Sequence, residues 1–156
     1  MKTLKNSSRS TVVLLSVLTL FISTSIFAQN TKVINMKGTD QLRFTVENIE
    51  VSPGQKVTVK LTNDTKFPAA AMSHNFVLLK QSADANAVAT ASVNYPNNKY
   101  IAPEMKDQII AYTGLASSGK TVEVTFNAPK KPGKYLYICT FPGHFMAGMK
   151  GTLTVK

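Results

Sequence analysis

The stretch Lys56-Val-Thr-Val-Lys-Leu-Thr62 alternates apolar and polar residues one by one, and this period of two recurs along most of the chain. Alternation of that kind places every second side chain on the same face of an extended backbone, the pattern of a strand with one face buried. Strands are predicted near Val33 to Met36, Leu42 to Val51, Lys56 to Thr62, His74 to Leu79, Gln108 to Tyr112, Thr121 to Asn127, Lys134 to Thr140 and Gly151 to Val155. Ser52-Pro-Gly54 and Lys131-Pro-Gly133 punctuate them as turns, because Pro presets φ and Gly tolerates positive φ. Short strands between such turns predict an all-β sandwich or barrel. The rhythm breaks over Ser82 to Pro103, where the Ala-rich start predicts a short helix capped by Ser82, and Pro96 and Pro103 end any regular element.

The two ends of the chain differ in kind. Lys2, Lys5 and Arg9 precede an apolar run from Val12 to Phe27 and then Ala28, the layout of a secretory signal peptide. A retained membrane anchor is the alternative, disfavoured because the run is shorter than the roughly 20 residues of a spanning helix and is broken by Ser and Thr. No cysteine follows the run for lipid attachment. The expectation is therefore a signal peptide over 1–28, a single domain over 29–156, a periplasmic location and no membrane anchor after cleavage. Losing the three basic signal residues lowers the formal charge of +10 to +7. The lysines are scattered and not interleaved with aromatics, which argues against nucleic acid and for a partner with an acidic surface.

Cys139 is the only cysteine and cannot form an internal disulfide; an exported lone thiol invites oxidation unless something occupies it. Alternation in Lys134-Tyr-Leu-Tyr-Ile-Cys139 sets Tyr135, Tyr137 and Cys139 on one face, with Leu136 and Ile138 on the other. Thr-Phe-Pro-Gly then returns His144 toward the same end of the sheet, and Met72-Ser-His74 opens another strand with the second of the two histidines. Taken singly, a strand-end Cys or His is more often an ordinary core residue. Together, the chain's whole stock of Cys and His falls at two strand ends, and packing gives no reason for Cys-x4-His-x4-Met. Two imidazoles, a thiolate and a weak thioether form the ligand set of blue-copper electron-transfer centres. Cu(I) prefers soft, low-coordinate surroundings and Cu(II) tetragonal N and O donors, so a compromise geometry that changes little between them speeds electron exchange. Of the nearby methionines, Met149 groups by alternation with Gly151, Leu153 and Val155 on the inward face. Met146 lies mid-loop, two residues past His144, and fits the rim.

The segments "CTFPGH", "MKGTLTVK", "MSHNFVLL" and "IIAYTGLASSGKTVEVTF" closely resemble azurin and its relatives among the cupredoxins, and the resemblance spans nearly the whole of 29–156. It implies an eight-stranded Greek-key β-sandwich and one type 1 copper ion. The implied ligands are His74, Cys139, His144 and Met149, with the Ser73 backbone carbonyl in the opposite, weak axial place. It also implies that Asn75 ties the two ligand segments together and that the Phe141 amide donates to the cysteine sulfur. The chain departs from typical azurins in one extra residue between His144 and Met149, a plastocyanin- or auracyanin-like spacing. It also has Ser73 where azurins have glycine, and it lacks their disulfide.

The expected function is a small, monomeric, exported one-electron carrier, not an enzyme. His144 would be the electron port inside a docking patch of Met72, Phe141, Pro142, Phe145, Met146 and Ala147. Weak, small interfaces suit redox partners that must separate quickly, here cytochromes or copper and haem reductases and oxidases. A copper carrier that delivers metal is the alternative, favoured by Met72, Met146 and Met149. A catalytic copper enzyme would need further histidines that the chain does not have, and zinc in the same pocket would be redox-silent.

Overall fold

The computed structural model describes residues 30–156, so the signal-peptide segment 1–28 lies outside the described residues. Among the described residues, eight strands form two sheets. In the first, β1 (Lys32–Thr39) runs parallel to β3 (Lys56–Asp64), which pairs antiparallel with β6 (Thr121–Asn127). The second has the order β2 (Asn48–Val51), β8 (Lys150–Val155), β7 (Gly133–Ile138), β4 (Val77–Leu79), β5 (Ile109–Tyr112), and its β2–β8 pair is parallel. This is the all-β, two-sheet architecture expected from the alternation. The apolar positions of the Lys56 to Thr62 stretch, Val57, Val59 and Leu61, are completely buried, and they meet Met36, Phe44, Leu78, Tyr137 and Leu153 between the sheets. Each side chain buried in this way stabilises the fold by about 1.5–3 kcal/mol relative to exposure.

A second apolar cluster lies on the outer face of the larger sheet, where Val77, Leu79 and Ile138 meet Val88, Ala89 and Ile101. Val88 and Ala89 belong to α1 (Ala85–Ser92), the helical element expected within 82–103. β4 is thus covered on both faces and reads as an unbroken apolar run instead of an alternating one.

Several boundaries differ from the sequence reading. The strand expected over Leu42 to Val51 exists only as Asn48–Val51. Before it, the Leu42 amide donates to the Thr39 carbonyl and Leu42 sits at φ 56°, so the chain turns, and Phe44 makes only an isolated bridge to Gly38. Leu42, Phe44 and Val46 still face the core, which is why they alternate. The expected His74 strand joins the ladder only at Val77, and the expected Lys134 to Thr140 strand ends at Ile138. The helix cap is Asp84, not Ser82: its carboxylate accepts from the Asn86 and Ala87 amides at 2.9 and 3.1 Å, while residues 80–83 form a turn. Pro96 and Pro103 open short 3-10 turns, Pro96–Asn98 and Pro103–Gln108, where a missing N–H costs nothing.

Candidate metal centre

The centre lies where several strands end together. His74, ahead of β4, exchanges backbone hydrogen bonds with Ala116: its amide donates at 3.2 Å and its carbonyl accepts at 2.8 Å. Cys139 follows β7 directly. Its amide donates to the Met149 carbonyl at 3.1 Å, which ties the start of the loop to its end just before β8. Inside the loop the His144 amide donates to the Phe141 carbonyl and the Met149 amide to the His144 carbonyl, so His144 is turned inward.

The donor atoms of His74, Cys139 and His144 all lie within 4.8 Å of one another. The Nδ1 atoms of the two histidines are 3.2 Å apart, and Cys139 Sγ is 3.5 Å from His144 Nδ1. Edges of this length suit donors that each stand about 2.0–2.3 Å from one central ion. His74, Cys139 and Met149 are wholly buried and His144 is 4 % exposed. The Met149 side chain shares this space: at Gly38 any Cβ would fall 2.5 Å from His74 Cδ2 and 2.9 Å from Met149 Cε. Gly38 therefore lets β1 pass directly beneath the imidazole and the thioether.

Burial sets the protonation states. It holds both imidazoles well below their ordinary value, to about 4, with the neighbouring His144 adding to the effect on His74 and Asp40 opposing it. Burial also pushes the Cys139 thiol up to about 12, against the pull of the Asn75 and Phe141 backbone amides on the sulfur. Two neutral imidazoles with free lone pairs facing a thiol that needs a compensating cation form a donor set fitted to a soft metal ion.

The surroundings hold this set in place. Asn75 is completely buried; its Nδ2 donates to Thr140 Oγ1 at 2.8 Å and to the Lys99 carbonyl at 3.0 Å, and its Oδ1 accepts from the Thr140 amide at 2.8 Å. Thr140 Oγ1 in turn donates to the Tyr100 carbonyl at 2.6 Å. Lys99 and Tyr100 both have positive φ, 59° and 56°, a conformation costing about 1–2 kcal/mol for a residue with a side chain, and they aim successive carbonyls at the two ligand segments. Ser73 is buried, and its Oγ donates to the Ala69 carbonyl at 2.7 Å. Asn63 Nδ2 holds the Met72 and Ala116 carbonyls, both at 2.9 Å. Sequence reasoning missed Gly38, Asn63, Lys99, Tyr100 and Thr140, since each acts through a contact distant in sequence and none has metal-binding chemistry of its own.

Among the residues expected in a docking patch, Pro142, Met146 and Ala147 are exposed, Met146 by 74 %, and Met72 and Phe145 are half-buried. Phe141 is buried instead, 4.7 Å from the His144 ring and edge-on to Tyr100, so it supports the rim from below. A groove of about 150 Å³ extends the apolar rim from Phe145 and Met146 to Ala89 of α1 and Val93 just past its end.

A two-sheet Greek-key sandwich with a buried pair of imidazoles, a thiol and a thioether at one end defines a cupredoxin with the arrangement of a type 1 copper site. The chain belongs to the plastocyanin/azurin family of copper-binding proteins, whose family model matches residues 31–156. It is 39 % identical over 126 residues to an azurin of Pseudomonas fluorescens biotype C, covering 79 % of this chain and 97 % of that one. It is 38 % identical over 117 residues to Auracyanin-B of Chloroflexus aurantiacus, covering 74 % of this chain but spanning only 48 % of the relative. Auracyanin A of Chloroflexus aurantiacus, described as a "blue" copper protein, superimposes with a TM-score of 0.73 at 38 % identity, covering 81 % of this chain and all of that one.

Proposed function

We propose that this chain is an exported, periplasmic blue copper protein that carries single electrons between redox partners. His74, Cys139 and His144 would be the principal donors, Met149 the axial thioether, and the Ser73 carbonyl the weak opposite contact. The observation that carries the reading is the convergence of two histidine Nδ1 atoms and one thiol sulfur, 3.2 and 3.5 Å apart, in a buried site assembled from separate strand ends. Copper held there supplies a one-electron couple at nearly constant geometry. Everything else is supplied by the chain. Asn75 and Thr140 lock the two ligand segments together, burial excludes water, and the slight exposure of His144 inside an apolar rim gives a short path outward.

Electron carriage is favoured over metal delivery by the same burial. A carrier that hands copper on needs donors a recipient can reach, whereas three of these four side chains are completely covered. The positive balance outside the leader suits docking to cytochromes or to copper and haem reductases and oxidases with acidic surfaces, by a monomer. On adding Cu(II) to the metal-free protein, an intense band near ~600 nm from thiolate-to-copper charge transfer is the expected outcome, absent in Cys139→Ser. A colourless wild-type protein, or rapid loss of the metal to a weak chelator, would overturn the reading.

A further inference from the structure

The loop between His144 and Met149 is held from outside by a residue far away in sequence. After β1 the chain turns tightly, with the Leu42 amide donating to the Thr39 carbonyl at 3.0 Å and the Thr39 amide to the Arg43 carbonyl at 3.1 Å. The turn sends the Arg43 side chain across to the ligand loop. There Nη1 donates to the Ala147 carbonyl at 2.7 Å and to the Leu42 carbonyl at 2.8 Å. The guanidinium rests on Gly148, where any Cβ would fall 2.9 Å from Nη1 and 3.1 Å from Cζ and Nη2. Gly148 also has φ 102°, so a side chain at this position would be both strained and in the way.

We propose that Arg43 is a positioning residue for the copper site: it straps the turn after β1 to the end of the ligand loop and so fixes where the Met149 thioether stands. The proposal rests on the reading of His74, Cys139, His144 and Met149 as copper donors. The loop's own bonds, from the Ala147 amide to the Gly143 carbonyl, Gly148 to Phe145 and Met149 to His144, each 2.9 Å, make it a compact unit without fixing its distance from the first sheet. Arg43 supplies that reference across 104 residues of sequence. It starts from the turn that follows Gly38, the residue on which the Met149 methyl and the His74 ring rest. One segment therefore bounds Met149 from beneath through Gly38 and holds the residues just before it through Arg43. A long, weak axial thioether is the softest coordinate of a His2Cys site, so a small displacement of the loop alters it before the other donors. Arginine suits this task because its planar donor fork grips a carbonyl at a defined angle, whereas a lysine ammonium is a point charge on a flexible stem.

The test compares copper-loaded wild type with Arg43→Met, which keeps most of the apolar stem, and Arg43→Lys, which keeps the charge. Both variants are expected to retain the intense visible band. Both are expected to shift the relative preference for Cu(I) over Cu(II) in the same direction by roughly tenfold, about 59 mV for one electron, with an altered copper hyperfine pattern in the EPR spectrum. Wild-type potentials and spectra in both variants would overturn the proposal. A shift in Arg43→Met with none in Arg43→Lys would also overturn it, by assigning the effect to charge. Metal-free protein separates this from the copper reading. If Arg43 straps the loop, amide exchange at Gly148 and Met149 is about tenfold faster in both variants, whatever the wild-type protein does with copper, and unchanged exchange would dismiss the strap. A colourless wild-type protein with faster exchange in the variants would retain the strap and sink the copper assignment.

Discussion

Met149 is wholly buried with its methyl against Gly38, whereas Met146, three residues earlier, is 74 % exposed on the rim. The two methionines therefore give opposite expectations on the proposed copper reading. Met149→Gln exchanges a soft sulfur for a harder oxygen and favours Cu(II), lowering the reduction potential by roughly the 59 mV of a tenfold change in relative affinity. Met146→Gln leaves both potential and visible spectrum essentially as they were, and a redox titration of the pair decides. The inward placement of Met149 and the outward one of Met146 were legible in the sequence, because the alternation of Met149 with Gly151, Leu153 and Val155 reports an inward face directly. The residues that brace the site were not. Gly38 matters for a side chain it lacks, Thr140 for a bond to Asn75 across the sheet, and Lys99 and Tyr100 for backbone angles that neither residue type announces.

At the scale of elements, alternation recorded which side of the chain is buried more faithfully than it recorded strand pairing. Leu42, Phe44 and Val46 face the core from an irregular segment, so their period of two survives where the ladder does not. The helix shows the complementary limit. Ser82 and Asp84 are both competent caps ahead of the alanines, and tertiary contacts choose between them: the Asp84 amide is held by Gln108 Oε1, while Ser82 belongs to the turn closed by the Ala83 amide on the Lys80 carbonyl. Asp84→Ala, which removes the acceptor of two helix amides, is expected to cost about 1 kcal/mol, or about 4 °C in Tm. Ser82→Ala should cost less than half of that. Because α1 also forms one side of the groove beside Phe145 and Met146, calorimetry should be accompanied by a partner-docking measurement on the same variants.

For the whole molecule, the two buried imidazoles make the metal-free protein sensitive to acid. Each titrates near 6.5 in an unfolded chain and near 4 in the folded one, so the unfolded state binds protons more readily between those values. The stabilisation is complete above about pH 6.5, shrinks as pH falls, and is lost by about pH 4. Thermal scans of metal-free protein should show a flat Tm from pH 8 to 7 and a steep fall below 6.5, and a Tm independent of pH down to 4 would contradict the burial assigned to both rings. Topology adds a consequence in time. The parallel ladder of β2 on β8, with Ile49 opposite Leu153, pairs an early strand with the last one, so the larger sheet is complete only after the entropy of closing that long loop has been spent. Cys139, His144 and Met149, by contrast, are neighbours along the backbone and can meet early, while His74 must arrive across 70 residues. A copper ion captured by the nascent chain would sit in an open, exchangeable clasp of three donors. On the proposed copper reading, the donor set is therefore complete only once His74 has crossed that distance to join the three loop residues.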